Sequence, residues 1–336
     1  MTELDLPLIL AGIIGAGVIV YVLLDGFDLG VGILLPLAPD DDARDAMVAS
    51  IAPVWDGNET WLILGGAVLF AAFPTAYSVA LPAFYIPLMA MLFALIFRGV
   101  AFEFRMKAKT SKAFWSWAFT LGSAVAAFCQ GAMLGGLIEG ITMDGRSFAG
   151  GPFDWFTGLS VIAGLGVMAG YALLGATWLV MKTHAPLETA ARRWATVALV
   201  GVLVAMALVS GLTPLLYPAI ADRWFGGMNF LALAPVPVMT AVAALMLWRG
   251  LHHGWVWEPF LMAVALFLLG YCGIGISLWP TIIPPDLTIA RAAAPDSSLV
   301  FTLIAVLCTL PFVLGYTVYA YWVFRGKVTA RDGYHG

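Results

Sequence analysis

Four carboxylic acids stand in two short polar strings within an otherwise apolar chain. The strings are Asp25-Gly26-Phe27-Asp28-Leu29-Gly30 and Pro53-Val54-Trp55-Asp56-Gly57-Asn58-Glu59-Thr60-Trp61. Each acidic pair, Asp25 with Asp28 and Asp56 with Glu59, has the i, i+3 spacing that puts both members on one helical face. An acid at mid-bilayer costs roughly 2.5–3.5 kcal/mol on insertion scales, so an ionisable residue inside a span is a functional candidate by default. A cluster of this kind can relay protons or bind a cation, because burial penalises the charged form and makes proton uptake and release reversible. The alternative is structural: the acids pair with Arg98, Arg105 and backbone groups as anchors at the inner ends of spans. Position and cost leave both open.

The elements that must position these acids follow from hydropathy. The chain has 336 residues, 62% hydrophobic and 11% charged, with a mean hydropathy of +0.95. A soluble domain carries about 25% charged residues, so this chain could not solvate its surface in water and is an integral membrane protein. Nine apolar segments reach the ~20 residues a spanning helix needs: 7–36, 50–73, 78–98, 116–138, 157–181, 196–217, 230–249, 259–280 and 300–323. Their continuous apolar character favours helices over a barrel. The expected fold is an all-α polytopic membrane protein, a single integral membrane domain over residues 1–336.

Orientation comes from Lys and Arg. With the N-terminus outside, 13 of the 16 basic residues fall in inner loops or the C-terminal tail, among them Arg44, Arg98, Arg105, Lys182, Arg249, Arg325 and Arg331. Only Arg146, Arg223 and Arg291 remain outside, so the bias predicts N-out, C-in. Trp and Tyr residues near span ends, including Trp115, Trp155, Trp279, Tyr321 and Trp322, read as interfacial belts. The first apolar stretch lacks a basic leader and a cleavage site and reads as a retained helix. No polybasic run suggests nucleic acid as a partner.

On this layout, a first helix starting near Pro7 carries Asp25 about 27 Å along its axis, close to the inner edge of a ~30 Å hydrocarbon core. The second helix runs back, with Asp56 about 9 Å inward and Glu59 one turn deeper. The two acidic pairs therefore sit at similar depth on antiparallel neighbours and, if their faces meet, form a polar cluster open to the cytoplasm. Gly26, Gly30 and Gly32 suggest either close approach of another helix or local unwinding. Pro53 suits the first turn of the second helix. Trp55 is a packing anchor or a surface for stacking on a cofactor. A third polar patch, Arg98 to Arg105 with Glu103 between, reads as the exit of the third span; imperfect helical spacing points Glu103 to ion-pair partners on other helices.

Other chemistry is sparse. His184, His252, His253 and His335 all fall in inner loops or the tail, none inside a span where a haem would need an axial ligand. Cys129, Cys272 and Cys308 form no C-x-x-C pair and read as small core residues. No metal site is expected.

The strings LLDGFDLGVG, SIAPVWDGNETWL, LFAAFPTAYS and FRGVAFEFR resemble subunit II of the cytochrome bd quinol oxidases. The likeness is strongest over the first ~110 residues, and the nine-span layout carries it onward. It implies two four-helix bundles plus a peripheral helix. It also implies a haem-free chain, with no cofactor held through its own ligands, that pairs with a haem-bearing subunit I. That partner carries two b-type haems and one d-type haem, and the complex oxidises quinol and reduces dioxygen to water in the bacterial inner membrane. A structural quinone and a small single-span accessory peptide are compatible with the resemblance, as is the cyanide-insensitive branch. By the same resemblance, Asp25 and Asp56 match acids of a proton path from the cytoplasm, with Asp28 and Glu59 as further proton-transfer candidates. Trp55, Asn58, Arg98, Glu103 and Arg105 are the site-supporting candidates. Glu59 stands where some members have glutamine. A proton- or cation-coupled secondary transporter with an inner-facing acidic site is the rival reading.

Overall fold

Apolar runs become helices because a bilayer offers the backbone no other hydrogen-bonding partner. A computed structural model describes residues 5–328; Arg331 and His335 lie outside the described residues. The first helix, α1, spans Leu6–Leu34, with Asp5 as N-cap accepting from the Leu8 amide and Pro7 in the first turn. A short 3-10 turn leads to α2 (Asp41–Ile51), capped by Asp40. The hydrogen bond from Arg44 holds the Asp41 carboxyl below the usual carboxylate range. Then follow α3 (Trp55–Ala72), α4 (Pro74–Ala83), α5 (Tyr85–Lys107) and α6 (Lys112–Glu139). The second half comprises α7 (Gly158–Lys182), α8 (Leu187–Leu216), α9 (Pro218–Phe225), α10 (Asn229–Leu233), α11 (Pro235–His252), α12 (Glu258–Leu278), α13 (Ile289–Ala292) and α14 (Asp296–Val323). Two small antiparallel hairpins, Met143–Asp144 with Ser147–Phe148 and Thr281–Ile283 with Leu287–Thr288, close loops.

Among the described residues, eight helical segments are long and apolar enough to cross a membrane: α1, α5, α6, α7, α8, α10 with α11, α12 and α14. The segment 50–73 differs from expectation. Its helix begins only at Trp55, after a turn that holds Pro53 outside the helix. At 18 residues α3 is about 27 Å long, but its first turns carry Asp56, Asn58 and Glu59 and dilute its hydropathy. The expected span 78–98 is also displaced. Pro74 opens a separate helix, and α5 runs to Lys107. Arg98 does not end the span, because its charge is met inside the protein, which hydropathy cannot register. Helix α8 starts nine residues before the expected 196, on a segment whose Ala191 and Ala195 are buried.

Helix α1 is central, packing against α3, α6 and α7, while α5 lies on α6, α7 on α8 and α12, α11 on α8 and α12, and α14 on α3 and α1. Glycines in and just after the first polar string make these contacts. A Cβ on Gly30 would stand 1.8 Å from the Tyr171 carbonyl oxygen, and one on Gly32 2.1 Å from Ser123 Oγ. Of the two readings, close approach is therefore the observed one, and the helix is continuous through all three glycines. Phe27 stacks on Trp178 of α7 with ring centres 4.1 Å apart. Cys129 is buried as expected, but Cys272 and Cys308 lie on exposed helix faces.

Candidate functional site

Arg98 is the hub. Its guanidinium donates from Nη1 to Asp25 Oδ1 at 2.8 Å and from Nη2 to Glu59 Oε1 at 2.5 Å, joining α5 to α1 and α3. The Arg98 and Asp25 side chains are 1% and 0% exposed, and that of Glu59 28%. One turn along α1, the equally buried Asp28 accepts from Asn58 Nδ2 at 2.7 Å. That nitrogen also donates to the Leu24 carbonyl, while Asn58 Oδ1 accepts from the Tyr321 hydroxyl at 3.1 Å. Facing two acceptors and one donor, the Asn58 amide has a single fitting orientation. Trp55 lies under the Arg98 guanidinium, 5.8 Å from carbon to ring centre, and packs on Phe102 at 5.1 Å. Trp55 thus packs within the chain and covers the hub with its π face.

The site therefore sets three carboxyls against one guanidinium. Buried without a hydrogen-bond partner among the described residues are Asp25 Oδ2, Asp28 Oδ1 and Arg98 Nε. Burial of this kind is costly unless the charges balance.

Residues 6–324 match the family described as cytochrome bd terminal oxidase subunit II. The chain belongs to that family. Cytochrome bd ubiquinol oxidase subunit 2 of Bacillus subtilis (strain 168) is 32% identical over 338 residues, covering 98% of this chain and 97% of the relative. Cytochrome bd-I ubiquinol oxidase subunit 2 of Escherichia coli (strain K12) is 28% identical over 361 residues, covering 95% and 94%. A chain of the bd oxidase structure from Geobacillus thermodenitrificans superposes with a TM-score of 0.78 at 15% identity, covering 96% of this chain and 99% of that one, a likeness of fold. As a bd oxidase subunit II with eight apolar helices, the chain is an integral, multi-pass bacterial membrane protein and part of an oxidoreductase complex.

The subunit II motifs do not all converge. Asp25, Asp28, Asn58, Glu59, Arg98 and Trp55 come together. Asp56 is exposed in the first turn of α3, and its carboxylate makes no hydrogen bond among the described residues. Arg105 belongs to a second cluster, donating to Asp45 Oδ1 at 2.8 Å and Ser116 Oγ at 2.9 Å, with Lys112 on the other Asp45 oxygen. Glu103 is outside both. It is exposed, and its partner is Lys107 on its own helix at 3.8 Å, so the expectation of partners on other helices is corrected: i, i+4 spacing brings Lys107 within reach. Tyr321, read as a belt residue, turns its hydroxyl into the site instead. Sequence reasoning also missed Tyr21, Gln130 and Tyr171, which form a hydrogen-bonded row beside Asp25; a glutamine inside a span was the available signal. Among the described residues no three His, Cys, Asp or Glu side chains are grouped to hold a metal ion.

Proposed function

We propose that this chain is the haem-free subunit II of a quinol:dioxygen oxidoreductase, packed against a haem-bearing subunit I, and that it supplies a carboxylate-lined proton route from the cytoplasm. The partner holds the b-type and d-type haems, whose chemistry is the reduction of dioxygen to water at the expense of quinol. In this reading α3 is a ninth span, the N-terminus is outside, and the helices form two four-helix bundles, α1, α3, α5, α6 and α7, α8, α11, α12, with α14 peripheral. The relatives' names, which specify ubiquinol oxidases, support the substrate assignment.

The observation that carries the route is the charge imbalance at Arg98. Three carboxyls, Asp25, Asp28 and Glu59, share one cation. Full ionisation would leave two uncompensated negative charges in a site where Asp25 and Asp28 are fully buried, so a proton held among the carboxyls relieves the excess. A group that holds a proton there can also pass it on. Asp56, exposed in the turn before Glu59, collects protons from water. Glu59 is half-buried and next in line, and Asp25 and Asp28 are the inner acceptors. The family membership does not favour the transporter alternative.

The test is Asp25→Asn and Asp56→Asn in the intact complex. Each is expected to lower oxidase turnover with haem content retained. Asp56 is exposed, so a loss there cannot be assigned to a disrupted core. Full turnover with normal haem in both variants would remove the proton-route reading.

A further inference from the structure

The row of neutral polar groups beside Asp25 has no place in the proposed route. Tyr21 precedes Asp25 by one helical turn on the same face of α1, and both are buried. The Tyr21 hydroxyl accepts from Gln130 Nε2 of α6 at 2.8 Å, and the Tyr171 hydroxyl of α7 donates to Gln130 Oε1 at 2.5 Å. That leaves the Tyr21 proton without an acceptor among the described residues, while Asp25 Oδ2, one turn away, is buried without a donor. Arg98 occupies only the other oxygen, Oδ1. The Tyr171 ring also packs against Gly26, at 2.8 Å from where a Cβ would be, which ties the row to the Asp25 turn.

We propose that Tyr21 is the positioning residue for Asp25: its hydroxyl, held by Gln130 and Tyr171, donates to the ionised carboxylate and accepts from the carboxylic acid when Asp25 carries a proton. Gln130 makes the reversal feasible. The Leu24 carbonyl, which can only accept, fixes the Asn58 amide, but Gln130 lies between two hydroxyls, each able to donate or accept. When Asp25 gains a proton and donates to the Tyr21 oxygen, the Tyr21 O–H turns toward Gln130, the amide exchanges its ends, Gln130 N–H donates to Tyr171, and the Tyr171 O–H turns away from the amide without an acceptor among the described residues. Hydroxyl and amide rotations suffice, and no proton leaves Asp25 through the row. Asp25 keeps a satisfied partner in both states, and the unpaired group moves from the acid to the neutral Tyr171 hydroxyl, where it costs less than beside a carboxyl. The row is a dead end for protons and a guide for the acid.

The inference rests on the proposed route, in which Asp25 changes protonation state, and its test separates the two. Wild type, Tyr21→Phe, Asp25→Asn and the double variant are purified as intact oxidase and assayed for kcat, quinol KM, haem spectrum and Tm. The expected result is a severalfold lower kcat for Tyr21→Phe with KM and haem unchanged, and no further loss when it is added to Asp25→Asn. Tyr171→Phe, which leaves Tyr21 in place, is expected to lower kcat less and carries the kinetic test if Tyr21→Phe loses haem. Wild-type kcat in Tyr21→Phe beside an impaired Asp25→Asn would overturn the positioning role and leave the route standing; so would equal, multiplicative losses. If Asp25→Asn turns over normally, the route fails, and the Tm cycle decides: non-additive shifts support the Tyr21–Asp25 contact and additive shifts overturn it.

Discussion

Arg98 is buried between two acids, and its geometry decides what replacing it does. Removing one partner of a buried pair leaves an uncompensated charge and costs roughly 3–5 kcal/mol. Arg98→Ala strands Asp25 and Glu59 together. It is expected to lower the Tm of the purified complex and the fraction that retains haem. Arg98→Lys is expected to recover only part of the loss, because a single ammonium cannot present the two-pronged fork that reaches both carboxylates. A fully haem-loaded Arg98→Ala complex with unchanged Tm would show that the hub is dispensable. At this scale the sequence was most legible where charge was at stake. Asp25, Asp28, Glu59 and Arg98 stood out because charges in apolar runs are rare. Tyr21, Tyr171 and Tyr321 did not, since a tyrosine barely moves a hydropathy average and their partners lie up to 263 positions away in sequence; Gln130, polar inside a span, was the one trace of the row. Glu103 and Arg105 are also charged but lie outside the site: Glu103 pairs within its own helix, and Arg105 is buried in a second cluster with Asp45.

Helix contacts set the site as firmly as charges do. Asp25 and Asp28 reach α3 and α5 only because α1 can lie directly on α7, and that crossing depends on Gly30 meeting Gly175. A Cβ on Gly30 would sit 1.8 Å from a backbone carbonyl oxygen, so the whole helix must move. Overpacking typically costs about 1–3 kcal/mol, and an atom facing backbone rather than a flexible side chain belongs at the upper end. Gly30→Ala is therefore expected to lower Tm and displace Asp28 from Asn58. Gly12 meets nothing within 4 Å on the same helix. Gly12→Ala is expected to be neutral or stabilising, by up to ~1 kcal/mol, through helix propensity alone. Comparable Tm losses in both variants would mean that α1 is sensitive to any added methyl and that the α7 crossing is not special. Element boundaries were less legible than element identity. Hydropathy stopped the third span at Arg98, whereas the helix continues to Lys107, because a window average cannot distinguish a paired charge from a solvated one. It also merged α3 with the turn that holds Pro53.

Over the whole molecule, ionisable groups are distributed unevenly. The acid cluster lies inside the helices, while His184 follows the end of α7, His252 closes α11 and His253 follows it. The ring nitrogens of His252 and His253 already engage the Trp248 and Arg249 carbonyls of their own helix end. Many large apolar side chains are exposed on the flanks, such as Phe93 and Phe97 of α5 and Phe301 and Phe312 of α14, surfaces suited to lipid or to another membrane subunit. A chain with this distribution is expected to contribute protons and packing to an oxidase rather than electrons. Expressed alone and purified in mild detergent, it should give no haem bands in a reduced-minus-oxidised spectrum. Isolated from native membranes through a tag, it should bring a d-type haem band with its partner. A b-type band in the lone chain, lost on substitution of its own side chains, would place a redox centre here and overturn the haem-free reading. A colourless native preparation that keeps its partners would detach the chain from oxidase chemistry while leaving the carboxylate cluster to be explained by ion flux.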